Sequence, residues 1–401
     1  MISLTRKRLL GGLGIASSVA ASAALGADCV ASSSQSPSGT DASIDGANPE
    51  SDAAPAGPDA GADSQPVGSD GGTDTGAATN DAAPEDSGPL DSGADTATAP
   101  QDAAPFVLAI GQTFPGEIAA AGGYVYWTNA LTTGSIVGLP LDGGAPISIS
   151  QYLPRGVALE GANVYWVTYG FGATPGTGTV MVAPLGSATA TTIVSAQEGP
   201  YYVATYATRV FWTNYGNSIT NDGGAVFSVL PDGGGETTLT SVQGNVTGHI
   251  ATDGANVYVP AGFATGNVIM VLPLDGGSPA PLVADGGGGA SSLVVDSTSV
   301  YWIANGNVLK APLGGGASAP VTLASGQNNL PTEIAVDGTY VYWTNSGAGG
   351  GDAGTILKVS LDGGAPIVVV AGQIDPYGIA VDGTYVYWTS PNTGVVQAAL
   401  K

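Results

Sequence analysis

Short apolar runs separated by glycine-rich turns fill the chain from Pro105 to its C-terminal end. Val, Ile, Tyr and Trp cluster in these runs, and no segment has the 3.6-residue period of an amphipathic helix. Asp-Gly pairs follow many of the runs and supply the positive φ that tight hairpins need. The pattern therefore predicts an all-β domain built from many short strands.

The strands belong to an internal repeat that is marked by tryptophan. Every tryptophan follows an aromatic residue and occupies one equivalent position, and a seventh copy has Val259 there, after Tyr258. The tryptophans are Trp127, Trp166, Trp212, Trp302, Trp343 and Trp388. Counting Val259, the spacings run from 39 to 47 residues, close to the about 40–45 residues of four-stranded propeller blades. The sequence therefore predicts a seven-bladed β-propeller of four-stranded blades.

The last copy of the repeat lacks a fourth strand, and the missing piece occurs at the other end of the domain. The segment 105–112, PFVLAIGQ, matches the fourth strands PVTLASGQ at 320–327 and PIVVVAGQ at 366–373. We expect Phe106–Ile110 to join the sheet that contains Trp388 and so to close the ring. Closure removes the open faces of the two terminal blades.

Alternation along the second strand of each blade gives the tryptophans a structural role. In copy six, Val341 and Trp343 should face one neighbouring blade while Tyr340 and Tyr342 face the other. Because the same ring recurs in nearly every copy, we expect it to fill the space between blades and not to form a ligand platform.

Composition divides the chain into three parts. Residues 1–27 combine Arg6, Lys7 and Arg8 with a mildly apolar run, which indicates an export signal that resembles a twin-arginine signal with Lys7 at the second arginine. Residues 28–104 are rich in Ala, Ser, Asp, Gly, Pro and Thr, which predicts a disordered acidic linker. Residues 105–401 are the predicted propeller.

The single cysteine and the net negative charge limit where this protein is located and which partners it binds. Cys29 is the single cysteine and follows the export signal, as in bacterial lipoproteins, although Asp28 precedes it where a small uncharged residue is usual. The alternatives are lipidation at Cys29, removal with the signal, or a free thiol. The net charge of −24 argues against nucleic acid as a partner. We expect an extracytoplasmic protein, monomeric, that meets a membrane only through a lipid anchor.

The repeat resembles the YWTD-type propellers of low-density-lipoprotein-receptor-like proteins. The resemblance rests on Ala335-Val-Asp, Tyr342-Trp-Thr-Asn and Leu361-Asp-Gly at matching spacings, and it extends over 105–401. This chain departs from that family in having Asn at the end of the motif and seven copies where the family has six blades. The resemblance implies a propeller that binds, often proteins, at a cell surface.

Variable loops on one face of the predicted propeller carry the candidate recognition residues. Two sets of loops lie on this face, those that join strands two and three and those that join each blade to the next, and they include 168–178, 214–224, 260–266 and 345–354. Their aromatic side chains and one arginine suit protein or carbohydrate contact, or else fold back onto the blade edges. The candidate ligand-binding residues are Arg155, Tyr169, Phe171, Tyr201, Tyr202, Tyr215, Phe263 and Tyr377.

One register position, just before each first strand, faces the mouth of the central channel. In chain order it holds Glu117, Gly156, Tyr202, His249, Ser292, Glu333 and Gly378. Glu117, His249 and Glu333 could bind a divalent cation or act as acid and base, as in propeller lyases and lactonases. The alternative is an ordinary solvated mouth, and no catalytic triad, phosphate loop or cofactor motif accompanies the ring.

Three functions therefore remain open from the sequence. The favoured one is an exported, surface-tethered binding module for a protein or glycan, without a cofactor. The second is an enzyme of the lyase or lactonase type that uses the ring at the channel mouth. The third is a passive envelope scaffold with no dedicated ligand.

Overall fold

The structure, a computed structural model, describes residues 104–401 apart from 171–175, 216–223, 242–244, 247, 264–265, 284–289, 314–318, 328–329 and 348–350. The predicted export signal, the linker up to residue 103 and Cys29 lie outside the described residues, as does Phe171. In the described part of the chain, no helix is long and apolar enough to span a membrane.

The described residues form β-strands joined by turns. Up to the third tryptophan repeat the strands are β1 (Phe106–Ala109), β2 (Pro115–Ala121), β3 (Tyr124–Asn129), β4 (Gly134–Pro140), β5 (Ile147–Gln151), β6 (Pro154–Glu160), β7 (Asn163–Thr168), β8 (Gly178–Pro184), β9 (Thr191–Gln197), β10 (Pro200–Tyr206), β11 (Arg209–Asn214), β12 (Ala225–Val229) and β13 (Thr237–Ser241). The remaining strands are β14 (Asn245–Val246), β15 (Ala251–Thr252), β16 (Asn256–Phe263), β17 (Gly266–Pro273), β18 (Ala280–Val283), β19 (Ser292–Val295), β20 (Ser299–Ala304), β21 (Asn307–Pro312), β22 (Val321–Ala324), β23 (Pro331–Val336), β24 (Tyr340–Asn345), β25 (Gly354–Ser360), β26 (Ile367–Gln373), β27 (Ile379–Val381), β28 (Tyr385–Ser390) and β29 (Val395–Leu400).

These strands form seven antiparallel sheets, which are the predicted seven blades. Blades one to three are β2–β5, β6–β9 and β10–β13, blade four is β14–β18, and blades five and six are β19–β22 and β23–β26. Blade seven has the order β27-β28-β29-β1. The all-β, seven-bladed prediction is confirmed.

The ring closes through strand β1, as the sequence match predicted. Strand β1 pairs with β29, with Phe106 opposite Ala398 and Ala109 opposite Val396. Strand β29 in turn pairs with β28, which carries Trp388. The N-terminal strand therefore supplies the outer strand of the C-terminal blade.

The hydrophobic core lies between blades and repeats the same contact around the ring. All six tryptophan side chains are fully buried. Each tryptophan, with its flanking valine or isoleucine, packs against the aromatic residue of the preceding blade. The pairs that share a core cluster are Tyr126 with Trp166, Tyr165 with Trp212, Tyr258 with Trp302, Tyr301 with Trp343, Tyr342 with Trp388, and Tyr387 with Trp127. Val259 takes the tryptophan position beside Phe211 in blade four. The predicted alternation of faces is confirmed.

Blade four departs from the predicted four-strand pattern. Its first strand is split into β14 and β15, which both pair with β16, and His249 lies in the interruption. Strand β16 continues to Phe263 and β17 begins at Gly266, so most of the predicted loop 260–266 is strand. The expectation of a long variable loop at this position was wrong, because Phe263 pairs directly with Gly266.

Candidate functional site

The channel-mouth position brings Glu117, His249 and Glu333 together from blades one, four and six. One potential ligand atom from each residue lies within 4.8 Å of the others. The imidazole Nε2 of His249 is 3.7 Å from Oε1 of Glu333. The fractional exposures are 3% for Glu117 and 0% for His249 and Glu333. The solvated mouth that the sequence left open is therefore replaced by a buried cluster.

Irregularities in the innermost strands aim these side chains at the axis. The register of β2 against β3 shifts between Pro115 and Ile118, and that of β23 against β24 shifts between Pro331 and Ile334. Each shift contains one of the two glutamates, and such bulges re-aim a side chain. His249 lies in the break of blade four instead. A local distortion thus precedes or contains all three cluster residues.

A sequence signal for these bulges exists, although the sequence analysis did not use it. A proline stands two positions before the channel-mouth residue in five copies, namely Pro115, Pro154, Pro200, Pro331 and Pro376. Proline lacks the N–H needed for a strand ladder and is typical of bulges and strand starts. The repeated proline therefore indicates where the ladder breaks and a side chain turns inward.

Burial shifts the protonation of the cluster toward neutral forms. Burial raises the pKa of Glu333 well above its usual range, and the nearby carboxylate of Glu117 raises it further. Burial also lowers the pKa of His249 well below its usual range. In the protein alone, burial therefore favours the uncharged forms of both the His249 imidazole and the Glu333 carboxyl.

The neighbouring ring residues are either small or aromatic. A Cβ on Gly378 would lie 2.4 Å from the carbonyl oxygen of Gly116, so glycine is required for close packing of blades seven and one. The ring of Tyr202 lies 4.4 Å from the imidazole of His249, centroid to centroid. Ser292 is fully buried, and its Oγ has no hydrogen-bond partner among the described residues.

A chain of tyrosines extends from the buried cluster toward solvent. Tyr201 contacts Tyr202 with ring centroids 4.7 Å apart, Tyr169 at 6.0 Å and Tyr215 at 6.3 Å. The guanidinium of Arg155 lies 5.1 Å from the ring of Tyr201 and 5.9 Å from that of Tyr169. Tyr215 is 40% exposed. We call Arg155, Tyr169, Tyr201 and Tyr215 the aromatic platform.

The structure places three of the other predicted ligand-binding residues in environments other than an exposed loop. Tyr202 and Tyr377 are buried, with exposures of 5% and 9%, and so are not exposed loop aromatics. Burial, followed by the charges of Glu333 and Glu117, raises the pKa of Tyr377. Phe263 lies in strand β16 and not in a loop. Tyr202 and Tyr377 therefore belong to the wall of the Glu117–His249–Glu333 cluster.

A cavity also opens on the opposite face, between blades two and three. Its volume is about 450 Å³, and its lining includes Glu160, Tyr165 and Asp232. Burial raises the pKa of Glu160 there, and a backbone hydrogen bond from Ala207, which lowers the pKa, offsets only part of this effect. This cavity lies at the turns between first and second strands and is separate from the channel-mouth cluster.

Comparison with known proteins identifies the fold. Neither a protein-family model nor a curated protein matches the sequence. A catalytically inactive virginiamycin B lyase from Staphylococcus aureus with quinupristin is similar in structure, with a TM-score of 0.55 and 13% identity over 74% of this chain and 99% of that chain. The β-propeller domain of the Trilobed protease from Pyrococcus furiosus gives a TM-score of 0.53 and 10% identity over 73% of this chain and 96% of that domain. The chain is a seven-bladed β-propeller.

A third structure, a nidogen/laminin complex, has 18% identity and a TM-score of 0.45 over 60% of this chain and 89% of that chain. At these identities the similarities show the propeller fold alone. The Trilobed domain has an open velcro topology, whereas β1 and β29 close the ring in this propeller.

Proposed function

We propose that this protein is an exported, surface-tethered propeller that binds a protein or glycan through the face carrying its channel mouth. The observation that supports this proposal is the aromatic platform, in which three tyrosine rings and one guanidinium meet beside the channel. Tyrosine rings combine an apolar face with a polar tip, and they are enriched where proteins contact ligands. The platform therefore offers both stacking surface and hydrogen-bonding groups.

Charge at the platform favours a ligand with a carboxylate. Arg155 is the basic residue on this face in the described part of the chain, whereas Arg209, Lys310, Lys358 and Lys401 lie toward the turns of the opposite face. Its Nε is buried without a hydrogen-bond partner among the described residues. A guanidinium held against tyrosine rings can pair with an acidic side chain or an acidic sugar.

Binding of glycans and of proteins extracted from cell surfaces to the full chain tests this function. We expect Arg155→Ala and Tyr201→Ala to lower affinity by about tenfold or more, since residues at the centre of an interface dominate binding. Lys358→Ala is the matched control, because Lys358 stacks on Tyr340 toward the opposite face at 4.6 Å. Equal binding by all variants, or no ligand at all, would overturn the proposal and favour a passive scaffold.

The export and tethering parts of the proposal rest on residues 1–104 and on Cys29. Fractionation of cells that express the full chain, with labelled fatty acid, tests them. We expect label in the wild-type protein and none in Cys29→Ala. A protein that stays in the cytoplasm would contradict export.

A second candidate function is enzymatic, and the observation that favours it is the 3.7 Å approach of His249 to Glu333 in a buried site. A neutral imidazole can accept a proton, and a protonated carboxyl can donate one, which are the two roles that a lyase or lactonase needs. Product formation from cyclic esters tests this activity. Turnover that disappears in His249→Asn supports it, and no turnover with a broad set of lactones counts against it.

A further inference from the structure

The residues of the channel-mouth cluster combine two carboxylates with one imidazole. Glu117, His249 and Glu333 come from three different blades, so the rigid ring and not a single loop sets their separation. Oxygen and nitrogen donors of this kind are typical ligands of divalent first-row metals. The arrangement is therefore preformed by the fold.

The Glu333 carboxyl group lacks hydrogen-bond partners among the described residues. Its side chain is fully buried, and neither carboxylate oxygen has a hydrogen-bond donor among the described residues. The approach of Glu333 Oε1 to Nε2 of His249, at 3.7 Å, is longer than a hydrogen bond. Buried carboxylates are otherwise hydrogen-bonded, paired or bound to a cation.

A second buried oxygen points to the same conclusion. Ser292 occupies the channel-mouth register in blade five, between His249 and Glu333, and pairs opposite Ile303 in β20. It is fully buried, and its Oγ has no hydrogen-bond partner among the described residues. Among the described residues, two oxygen-bearing side chains in adjacent blades thus lack the hydrogen-bond partners that buried polar groups require.

We propose that Glu117, His249 and Glu333 bind one divalent cation of the Mn²⁺ or Zn²⁺ class at the mouth of the propeller channel. A carboxylate oxygen from each glutamate and Nε2 of His249 are the protein ligands. Such metals hold their ligand atoms about 3–3.5 Å apart. The present separations of up to 4.8 Å therefore close by small rotations of the side chains.

Three protein ligands leave coordination positions open, as in catalytic metal centres. The ring of Tyr202 packs at a tilt against the imidazole of His249 and bounds one side of the site, with ring centroids 4.4 Å apart. The open positions would hold water or an oxygen of a bound ligand. This cation site does not depend on the proposed recognition of a protein or glycan.

Titration calorimetry of the full chain with Mn²⁺ or Zn²⁺ alone, after removal of bound metal, tests the proposal. We expect one tight site per chain and a rise in the melting temperature with metal. Glu117→Gln and Glu333→Gln should each weaken this site by about 100-fold or more, since even residues outside the ligand shell cost 10–100-fold. Glu160→Gln, on the opposite face, is the matched control and should bind as the wild type does.

Two results would overturn the site. One is no metal binding by the folded wild-type chain, and the other is undiminished binding by both glutamine variants, which would place the ion elsewhere, such as on the acidic segment 28–104. If a variant fails to fold, anomalous diffraction from wild-type crystals grown with Mn²⁺ decides the question. A peak bonded to all three side chains supports the site, and its absence there overturns it.

Discussion

Nε1 of Trp127 in blade one donates a 3.0 Å hydrogen bond to Oε1 of Gln112, which follows the strand that completes blade seven. The same oxygen accepts a 3.1 Å hydrogen bond from Asn129. Gln197 receives the equivalent pair from Trp212 and Asn214. A glutamine at the end of one blade thus satisfies the buried tryptophan N–H of the next blade.

We expect Gln112→Ala to lower the free energy of unfolding by about 1–3 kcal/mol, because two buried donors lose their acceptor. Urea unfolding followed by tryptophan fluorescence measures the change. Gln327→Ala is the control and should cost less, since Gln327 accepts from Asn345 alone among the described residues. Equal losses in both variants would show that the tryptophan bond contributes nothing at the closure.

We expect Trp343→Ala to cost about 3–5 kcal/mol, since the fully buried ring leaves a cavity between blades five and six. The same urea experiment tests it. Tyr215→Ala, which removes a ring that is 40% exposed, is the control and should change stability by much less. A loss below about 1 kcal/mol in Trp343→Ala would contradict the packing of blades through this ring.

A third prediction concerns a turn that recurs in the last four blades. The carboxylate of Asp337 accepts hydrogen bonds from the backbone N–H groups of Thr339 and Tyr340, and from the hydroxyl of Tyr342 at 3.0 Å. We expect Tyr342→Phe to cost about 1–2 kcal/mol, because the partly buried carboxylate loses a donor. Tyr340→Phe is the control on the same strand. An equal loss of stability in both variants would show that the hydrogen bond from Tyr342 to Asp337 does not stabilise the turn.

Acid should destabilise the propeller through the same turns. Burial raises the pKa of Asp337, but the hydrogen bond from Lys401 and those from the backbone outweigh it, so the net pKa lies below its usual value. The pKa values of Asp253 and Asp296 are also lowered, because the hydrogen bonds that these carboxylates accept outweigh the effect of burial. A carboxyl whose pKa is lower in the folded state stabilises the fold above its unfolded pKa of about 3.9 and loses that stabilisation at lower pH.

The urea midpoint should therefore fall as the pH drops from about 4 through the folded pKa values. Glu333 acts with the opposite sign, because its pKa is raised by folding. Comparison with Asp337→Asn isolates the turn, and the variant should lose less stability on acidification than the wild type does. A wild type and a variant with the same pH dependence would contradict this assignment.

The fold could be predicted from the sequence because each repeat has the same pattern of apolar runs and turn residues. The seven repeat copies from Trp127 to Trp388, one of them with Val259, predicted the blade count, and the match of 105–112 to later fourth strands predicted the closure. The role of Gln112 was not predicted, because its partner Trp127 lies in another blade and local periodicity contains no information on such contacts. The repeat nevertheless shows Gly-Gln at this position three times.

The candidate site was predicted only in part. The shared register correctly grouped Glu117, His249 and Glu333, which the structure places within 4.8 Å of one another. The split first strand of blade four was not foreseen, since the segment around His249 reads as an ordinary strand start. The sequence left open whether Tyr202 and Tyr377 are exposed or fold back, because loop aromatics and wall aromatics have the same composition and differ only in tertiary contacts; the structure buries both.

The pairing of Phe106 with Ala398 sets the order in which the molecule can be completed. During synthesis, strand β1 leaves the ribosome before the other strands of the domain, but its partner β29 is made last. Until β29 is made, the apolar faces through which blades one and seven pack together stay exposed. A chaperone or export factor that holds the nascent polypeptide would therefore be needed longest at these two blades, and translation that stops before Leu400 leaves an open, aggregation-prone ring.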